Sequence, residues 1–536
     1  MDAPPPQPRP AYDERTPTQH SLLKRSTTQD DLEPAKPLPS LDFDYSQPTR
    51  TRPTTWYGRT YAWLMRSENV EAHGVGPLLE EQRTDAHYLS NFTIWFTMNL
   101  TIACFSTGTL GPLYYELSMR DSFLIIAFCN LFSCGIPAYV ATFGPRLGMR
   151  TMGIARYSFG YYPAILPALL NLVSFIGFCA VNSIVAGQVL AAVNPGGLSV
   201  NAGIVIVAIV SMFISFCGYR VLHMIERWAW LPIFISFILL AAFGARQLDA
   251  APSFASDVPA TAANVLSFIS IVVGFTISWS GCSADFCTYM RPEVGSLRVF
   301  VLTFLGLYLP CAIIQILGAA FGAAALSGLV PTWEEAFADG NVGSLAGVAL
   351  EPLHGFGKFL LVLFSLGMIS NNAPTQYAFS LSIQIVFPFL TRLPRFFLPI
   401  VGTAIYLPIA IAAAAHFAAA LSNFLGILGY WSSIFVAILL VEHFVFRKGR
   451  FSSYDLAIWD RSSKLPPGLA ALFASLCGAA FVVLGMDQVW YRGIFAKAIS
   501  GPDAHAGGDI GFETGMAVAA VVFVPCRFLE KRVFGR

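Results

Sequence analysis

The segment TISWSGCSAD, Thr276 to Asp285, decides the fold because it interrupts an apolar stretch that runs over residues 263–289. Gly281 stands there among small polar residues, and such residues weaken a helix inside a bilayer. A helix broken at mid-membrane offers backbone donors and acceptors to a small solute. Small residues also let helices pack closely, which is the alternative interpretation. The segment favours a transporter over a simple helical bundle.

A second interrupted stretch lies in the first apolar block, residues 91–117. It reads CFSTGTLGP, from Cys104 to Pro112. Gly108 and Gly111 weaken a helix there, and Pro112 removes a backbone donor. The first and sixth spans occupy corresponding positions in two five-helix halves. Breaks at corresponding positions predict inverted repeats with a binding site between them.

The remaining chain supplies enough apolar blocks for this arrangement. It is 55% hydrophobic and 12% charged, whereas soluble domains carry about 25% charged residues. Blocks of about 20 apolar residues match the hydrocarbon thickness. The sequence therefore predicts an all-α polytopic membrane protein with about twelve spans, near 91–117, 121–143, 163–193, 201–219, 225–245, 263–289, 297–327, 358–388, 396–416, 421–446, 467–486 and 512–530. The repeats then cover 91–245 and 263–446, and 467–530 adds two C-terminal spans.

The distribution of Lys and Arg predicts that both termini are cytoplasmic. With that orientation the outer loops carry few basic residues, namely Arg120, Arg246, Lys358, Arg492 and Lys497. Residues 1–60 are rich in Pro, Ser, Thr and charge, which predicts a disordered tail; residues 61–90 lead into the first span and 531–536 close the chain. The tail holds candidate ubiquitin and phosphorylation sites at Lys24, Lys36, Ser26, Thr27 and Thr28.

Polar side chains within the spans are the candidate binding residues. Asn371 and Asn372 precede Pro374 in the eighth span, and Asn182 lies in the third. Intramembrane polar groups usually face a cavity or a partner helix, and an amide has the donor and acceptor atoms that suit a nucleobase edge. Hydrogen bonding between helices is the alternative for each Asn. Trp279 stands beside the sixth-span break, where an indole either stacks on a flat ring or packs against neighbours.

The chain resembles the fungal purine–cytosine permease branch of the nucleobase–cation symporter 1 family. The resemblance covers roughly residues 80–530. It rests on STGTLGP from Ser106, VNSIVAGQVL from Val181, ISWSGCSADFCTYMRP from Ile277 and SNNAPTQYAFSLSIQ from Ser370. It implies the leucine-transporter-like five-plus-five inverted repeat with two further helices. It also implies import of cytosine, adenine, guanine or hypoxanthine with protons across the plasma membrane.

Carried onto this sequence, the resemblance implies specific roles. Trp279 stacks on the base, and Asn182, Asn371 and Asn372 bond to its edges. Ser106 and Thr107 contribute from the first-span break, and Pro374 shapes the eighth span.

The resemblance also bears on the coupling ion. Sodium-coupled relatives carry adjacent Ser and Thr hydroxyls five to six residues before the eighth-span amide, where this chain has Ser365, Leu366 and Gly367. A single hydroxyl is a poor sodium site, so protons are favoured. Asp285 is a candidate for proton coupling, or alternatively a helix cap or a partner of Arg291.

Three functions remain open. Nucleobase–proton symport is favoured, and transport of another flat heterocycle such as vitamin B6 is the first alternative. A non-transporting receptor is disfavoured because no large soluble ligand domain is encoded. An enzyme is not expected, since we find no metal-ligand set, nucleophile elbow or phosphate loop, and no cofactor is predicted. A net charge of +1 gives no indication of nucleic-acid binding.

Overall fold

The computed structural model describes residues 76–216, 218–250, 260–328, 330–387, 389–390, 397–500 and 507–536. The tail, residues 1–60, lies outside them. In the described residues the first half of the bundle contains α1 (Tyr88–Asn99), α2 (Ile102–Tyr114), α3 (Met119–Ser133), α4 (Gly135–Ala141), α5 (Phe143–Leu147), α6 (Thr151–Phe159), α7 (Ile165–Val193), α8 (Val200–Ser215) and α9 (Gly218–Ala250).

The second half begins with a helix that stops short and continues as two 3-10 turns. It contains α10 (Ala262–Ile277), α11 (Ser296–Leu326), α12 (Pro331–Ala336), α13 (Val342–Ala349), α14 (His354–Val386), α15 (Phe397–Ala413) and α16 (Phe417–Val441). The C-terminal part contains α17 (Leu469–Gly485), a hairpin of β1 (Asp487–Gln488) and β2 (Tyr491–Arg492), α18 (Ile494–Ser500) and α19 (Gly511–Phe534).

These helices confirm the predicted polytopic all-α class. Eight stretches within the described residues are long and apolar enough to cross a membrane, and Val200–Ser215 and Leu469–Gly485 are shorter apolar helices. Large apolar side chains point away from the bundle, among them Phe128, Phe132 and Val173. Polar side chains such as Asn182 and Asn372 lie inside. This inverted distribution is what a hydrocarbon solvent favours.

The first span is broken, but at a different place from the one predicted. Residues Cys104–Pro112 are helical and belong to α2, so the prediction that they unwind is wrong. The break lies at Leu100 and Thr101, where the Thr101 hydroxyl caps α2 by accepting the Cys104 N–H at 3.3 Å. Gly108 instead permits close packing, since a Cβ there would lie 1.9 Å from the carbonyl oxygen of Gln315 on α11.

The segment before the first span packs on one end of the bundle. The Leu78 N–H donates to the Gly148 carbonyl oxygen at 2.8 Å, and the Arg83 guanidinium donates to the Pro145 carbonyl oxygen at 2.8 Å. Asp85 forms a bridge with Met290, just after the sixth-span break. We call the end that contacts residues 76–87 the proximal end of the bundle, and the opposite end the distal end.

The C-terminal helices are fixed to α16 by buried charges at the proximal end. Arg527 of α19 pairs with Glu442 at 3.0 Å and with Glu530 at 2.9 Å, and all three side chains are at most 5% exposed. Arg447 also pairs with Glu442, at 3.1 Å. Glu530 accepts the N–H of Leu469 at 2.8 Å and so caps the start of α17. Buried charges of this kind are tolerated only when paired and hydrogen-bonded.

Candidate functional site

The predicted break in the sixth span is confirmed. The α-helix ends at Ile277 and continues as 3-10 turns over Ser278–Gly281 and Ser283–Phe286. Asn171 of α7 donates its amide N–H to the Gly281 carbonyl oxygen at 3.3 Å and so satisfies part of the irregular backbone. A Cβ at Gly281 would lie 2.3 Å from the Asn171 Oδ1, so glycine is required for this approach.

Trp279 lies in the first of these turns, inside a group of aromatic rings. Its ring stacks on Phe178 of α7, with centroids 5.7 Å apart and planes 17° apart. Trp95 of α1 meets it edge-on at 5.6 Å, and Phe286 meets Trp95 at 5.3 Å. Trp279 is only 5% exposed. Parallel rings on neighbouring helices form the kind of surface on which a flat heteroaromatic compound stacks.

The three predicted amides come from two helices, and the structure joins them directly. The Asn182 Nδ2 donates to the Oδ1 of Asn371 at 2.7 Å and to the Oδ1 of Asn372 at 3.0 Å. Asn371 donates to the Met98 carbonyl oxygen at the end of α1, and Asn372 donates to the Ser183 hydroxyl at 3.2 Å. The amide cluster therefore links α7, α14 and the first-span break.

Several polar atoms around the break have no hydrogen-bond partner among the described residues. They are the indole Nε1 atoms of Trp95 and Trp279 and the hydroxyls of Ser280, Ser283 and Ser370. A buried donor without a partner costs about 1–3 kcal/mol. A solute with polar edges would supply partners at such a place. The break therefore combines ring surfaces with unused hydrogen-bonding capacity.

The remaining predicted binding residues have other surroundings. The Ser106 hydroxyl donates to the Ile102 carbonyl oxygen at 2.9 Å, and the Thr107 hydroxyl donates to the Ala103 carbonyl oxygen at 3.1 Å, so both bond to their own helix. Neither lies in the first-span break, because the break comes earlier in the chain. Pro374 lies within the continuous helix α14, one turn beyond Ser370.

The two candidates for ion coupling lie apart from each other. The Asp285 Oδ1 accepts the Thr151 N–H at 2.7 Å, and the Thr151 hydroxyl accepts the Ala284 N–H at 3.1 Å. Asp285 thus binds the first turn of α6, the arrangement foreseen by the helix-cap alternative. Ser365 is 1% exposed, and its hydroxyl has no partner among the described residues. In the described part of the chain, no group of three or more His, Cys, Asp or Glu side chains is arranged to hold a metal ion.

Sequence reasoning missed three residues that build this site. Phe178 comes four residues before Asn182, and one helical turn of spacing was the available signal for a second ring on that face. Asn171 and Met98 carried no such signal. The contribution of Asn171 depends on the sixth-span break, and that of Met98 depends on the first-span break, which the sequence prediction misplaced.

Comparison with known proteins identifies the family. The chain matches the family model for permeases for cytosine/purines, uracil, thiamine and allantoin over residues 77–503. Purine-cytosine permease FCY21 of Saccharomyces cerevisiae is 35% identical over 471 residues, which covers 87% of this chain and 88% of the relative. Purine-cytosine permease fcyB of Emericella nidulans is 34% identical and covers 90% and 94%. Vitamin B6 transporter TPN1 of Saccharomyces cerevisiae is 29% identical and covers 89% and 90%.

Solved structures support the fold. Mhp1, a nucleobase-cation-symport-1 family transporter in a closed conformation with bromovinylhydantoin bound, superposes with a TM-score of 0.63 at 17% identity, covering 86% of this chain and 96% of Mhp1. Its inward-facing conformation gives a TM-score of 0.64. These values confirm the predicted transporter fold, and the family matched over most of the chain consists of permeases and not of enzymes. The chain belongs to the family of permeases for cytosine and purines, uracil, thiamine and allantoin.

Proposed function

We propose that this protein imports cytosine and the purine bases adenine, guanine and hypoxanthine by proton symport with alternating access. The observation that carries the proposal is the amide cluster of Asn182, Asn371 and Asn372, joined across two helices near the stacked rings of Phe178 and Trp279. The relatives that match at 34–35% identity are purine-cytosine permeases, which supports the same substrates here.

The ring pair supports a flat substrate. A base that lies between two rings needs about 3.5 Å on each face, so the rings must stand about 7 Å apart. The Phe178 and Trp279 centroids are 5.7 Å apart, and the rings contact each other directly. The structure therefore corresponds to a state in which the rings have closed on each other. Rings in direct contact have planes about 3.5 Å apart, so admission of a base requires these planes to separate by roughly a further 3.5 Å.

The amide cluster supports a substrate with alternating donors and acceptors. The Oδ1 atoms of Asn371 and Asn372 both accept from one Asn182 amide, so that amide bridges the two carbonyl oxygens. A nucleobase edge carries ring nitrogens, amino groups and carbonyl oxygens that are able to replace these bonds. Exchange of one set of hydrogen bonds for another limits the cost of opening the cluster.

The surroundings of Ser365 support proton rather than sodium coupling. The following Leu366 is 49% exposed and points away from the bundle. A Cβ at Gly367 would lie 2.9 Å from the Ile233 Cδ1, so that position packs against α9. A sodium ion needs several oxygens to replace its water shell, and these two positions supply no side-chain oxygen beside Ser365. We retain Asp285 as a candidate proton group.

Orientation and location complete the proposal. We place the protein in the plasma membrane with both termini in the cytoplasm, so the proximal end faces the cytoplasm and the distal end faces outward. The asymmetry of Lys and Arg between alternate loops supports this orientation. The tail before residue 76 remains a candidate target for ubiquitination and phosphorylation.

The test is uptake of radiolabelled cytosine in cells that lack their own nucleobase transport. We expect saturable uptake that unlabelled adenine, guanine and hypoxanthine inhibit and that pyridoxine does not. A vector control and the Asn372→Ala variant, matched for surface abundance, report background and site-dependent uptake. Absence of cytosine uptake together with uptake of labelled pyridoxine would identify a vitamin B6 carrier, as the similarity to TPN1 allows.

A further inference from the structure

We propose that Asp509 is a proton-binding group at the distal end of the bundle, and that its protonation favours closure of that end. The proposal rests on the proposed proton symport and names a residue that takes up the external proton. Asp509 lies in the segment between α18 and α19, far along the chain from the amide cluster, and was not among the predicted site residues.

Asp509 is buried where three parts of the chain meet. It is 3% exposed. One carboxylate oxygen accepts from the Tyr430 hydroxyl of α16 and from the Asp487 N–H at 3.1 Å, and the other accepts from the Gly511 N–H at 2.9 Å. The Asp509 N–H donates to the Ser267 hydroxyl of α10 at 3.1 Å. The carboxyl group thus joins the tenth span to the C-terminal hairpin, and the main-chain N–H of the same residue contacts the sixth span.

The hydrogen bonds around Asp509 accommodate either protonation state. The Gln488 Nε2 donates to the Tyr430 hydroxyl at 2.7 Å, and that hydroxyl donates to Asp509, while the Gln488 Oε1 has no partner among the described residues. A hydroxyl group is able to donate or to accept a hydrogen bond. Rotation of a Gln amide by 180° exchanges its donor and acceptor atoms. When Asp509 is protonated, the direction of these hydrogen bonds reverses. Asp509 then donates to the Tyr430 hydroxyl, and that hydroxyl donates to the Gln488 Oε1. A proton is gained without loss of a hydrogen bond.

The charged groups that face Asp509 come from each element around it. Asp487 of the hairpin carries a negative charge and is held by Arg492 at 2.9 Å. Glu513 of α19 and Tyr115 at the end of α2 interact with it electrostatically. The part of α10 beside it contributes the uncharged Ser267. The surroundings are thus acidic apart from one arginine that is already paired.

These surroundings raise the pKa of Asp509 toward the pH range in which proton-coupled uptake is measured. Burial raises the pKa of Asp509 from 3.8 to about 6, and the charge of Asp487 acts in the same direction. The hydrogen bonds from Tyr430, Gly511 and Asp487 oppose this rise in the pKa. While Asp509 stays buried, the group is therefore protonated below about pH 6 and ionised above it; we take this buried arrangement as the closed one.

Protonation is thereby linked to conformation. Opening of the distal end hydrates Asp509, which returns its pKa toward 3.8. The proton then binds the closed arrangement roughly a hundredfold more tightly than the open one, and by linkage it favours closure to the same extent. The stabilisation of the closed arrangement by the proton is fully present below pH 3.8 and is lost as the pH rises through about 6. An external proton would promote the closure that follows substrate entry.

The tenth span connects this group to the substrate site. Tyr430 contacts Asp509, and the next residue, Trp431, donates its indole N–H to Ser174 of α7 at 3.0 Å. A Cβ at Gly281 would lie 3.3 Å from the Trp431 ring, so this ring packs on the sixth-span break. A displacement of α16 at Tyr430 is therefore transmitted directly to the segment that carries Trp279.

The experiment measures uptake of labelled cytosine at external pH 4.5 to 8 and the accumulation ratio at steady state. We expect wild-type uptake to fall as the pH rises through about 6. The Asp509→Asn variant should take up cytosine at a rate that no longer varies with pH. It should no longer accumulate cytosine against a concentration gradient, but it should still exchange internal for external cytosine. The matched control is Asp121→Asn, which removes a partly buried distal carboxyl group bonded to Ser118 and should keep the wild-type profile.

Two further variants keep the test decisive if Asp509→Asn fails to reach the surface. Tyr430→Phe removes a bond to the carboxylate, so the pKa of Asp509 should rise and the pH profile should move to higher pH. Asp487→Asn removes a neighbouring negative charge, so the profile should move to lower pH. Shifts in these opposite directions support the proposal. An unchanged profile in both variants, or in Asp509→Asn, overturns it.

The outcomes separate this proposal from the proposed function. Wild-type cytosine uptake that is independent of pH contradicts proton symport itself. Wild-type uptake that depends on pH, with the same dependence in Asp509→Asn, contradicts the role of Asp509 alone and leaves nucleobase symport in place.

Discussion

Phe178 and Trp279 stack directly on each other across the interface between the third span and the sixth-span break, with centroids 5.7 Å apart. Phe178 belongs to the helix that also holds Asn182, and Trp279 belongs to the irregular segment of the sixth span. Phe178 is one helical turn from Asn182, and Trp279 is two residues from Gly281. Separation of the rings and exchange of the amide bonds are therefore expected to occur together when a base enters.

The first prediction concerns the rings. Stacking on an aromatic side chain contributes about 1–3 kcal/mol per base, and 1.4 kcal/mol corresponds to a tenfold change in affinity. Trp279→Ala should raise the KM for cytosine about fivefold to a hundredfold. Trp279→Phe should be milder because a phenyl ring keeps part of the surface. Phe178→Ala should also raise the KM.

The control is Phe128→Ala, which removes a lipid-facing ring and should leave the KM for cytosine unchanged. A rise in the KM as large as that of Trp279→Ala would contradict a local role for the rings.

The second prediction concerns the amides of the eighth span. Removal of one partner of a buried hydrogen bond costs about 1–3 kcal/mol. Asn372→Ala should weaken cytosine affinity about fivefold to a hundredfold while the protein still reaches the surface. Asn371→Ala should do the same or change which bases compete. The control is Asn423→Ala, which removes an amide that donates to the Ala419 carbonyl oxygen and accepts the Val489 N–H, outside the amide cluster. Normal affinity in both Asn371 and Asn372 variants, measured with surface abundance, would place the substrate elsewhere.

Much of this site could be predicted from the sequence because polar side chains and glycine are conspicuous in an apolar span. Trp279, Asn371 and Asn372 were identified in that way, and the sixth-span break was placed correctly. The first-span break was misplaced because Gly108 and Pro112 are as compatible with close helix packing as with unwinding. The actual break, Leu100 and Thr101, depends on a hydroxyl cap, and its neighbouring residues contain no glycine or proline.

The third prediction concerns the coupling ion. The structure offers one buried hydroxyl at Ser365 and an outward-facing Leu366, so a sodium ion lacks the oxygens that it needs there. Replacement of external sodium by choline should leave cytosine uptake nearly unchanged. A protonophore should abolish accumulation. Ser365→Ala should not introduce or remove any dependence on sodium. Loss of uptake in choline medium would show that the cation site has been misinterpreted.

The fourth prediction concerns Gly281. A Cβ there would lie 2.3 Å from the Asn171 Oδ1, and overpacking of this kind costs about 1–3 kcal/mol. Gly281→Ala should reduce uptake about fivefold to a hundredfold at equal surface abundance. The double variant Gly281→Ala with Asn171→Ala should recover part of the lost uptake because the obstructing amide is gone. No recovery would mean that the backbone conformation of residue 281, rather than this contact, limits transport.

The fifth prediction concerns orientation. A short epitope tag inserted between α12 and α13 should be accessible to antibody on intact cells, whereas tags at either terminus should require permeabilisation. The prediction rests on the asymmetry of Lys and Arg between alternate loops, which favours a cytoplasmic location for the proximal end. Labelling of an N-terminal tag on intact cells would reverse the orientation proposed here.

What the sequence could not indicate is the distal acid group. Asp509, Tyr430 and Gln488 are separated by up to 79 residues, and nothing in their spacing suggests contact. Their proximity depends on the short β1–β2 hairpin, which carries Gln488 and Asp487 back onto the tenth span. Apolar periodicity predicts the helices on either side of this hairpin, but it contains no information on where a polar connection folds.

The charge cluster of Glu442, Arg527 and Glu530 has a consequence for synthesis of the protein. Arg527 and Glu530 are synthesised after every span up to α17, yet they complete the pairing of Glu442 and the first turn of α17. Before their arrival, Arg447 is the cation paired with Glu442, and the Leu469 N–H lacks its carboxylate. A chain truncated by a premature stop codon near residue 525 would contain nearly every span but leave these groups unsatisfied. Full pairing of Glu442 and capping of α17 therefore have to wait until α19 has been synthesised as far as Glu530.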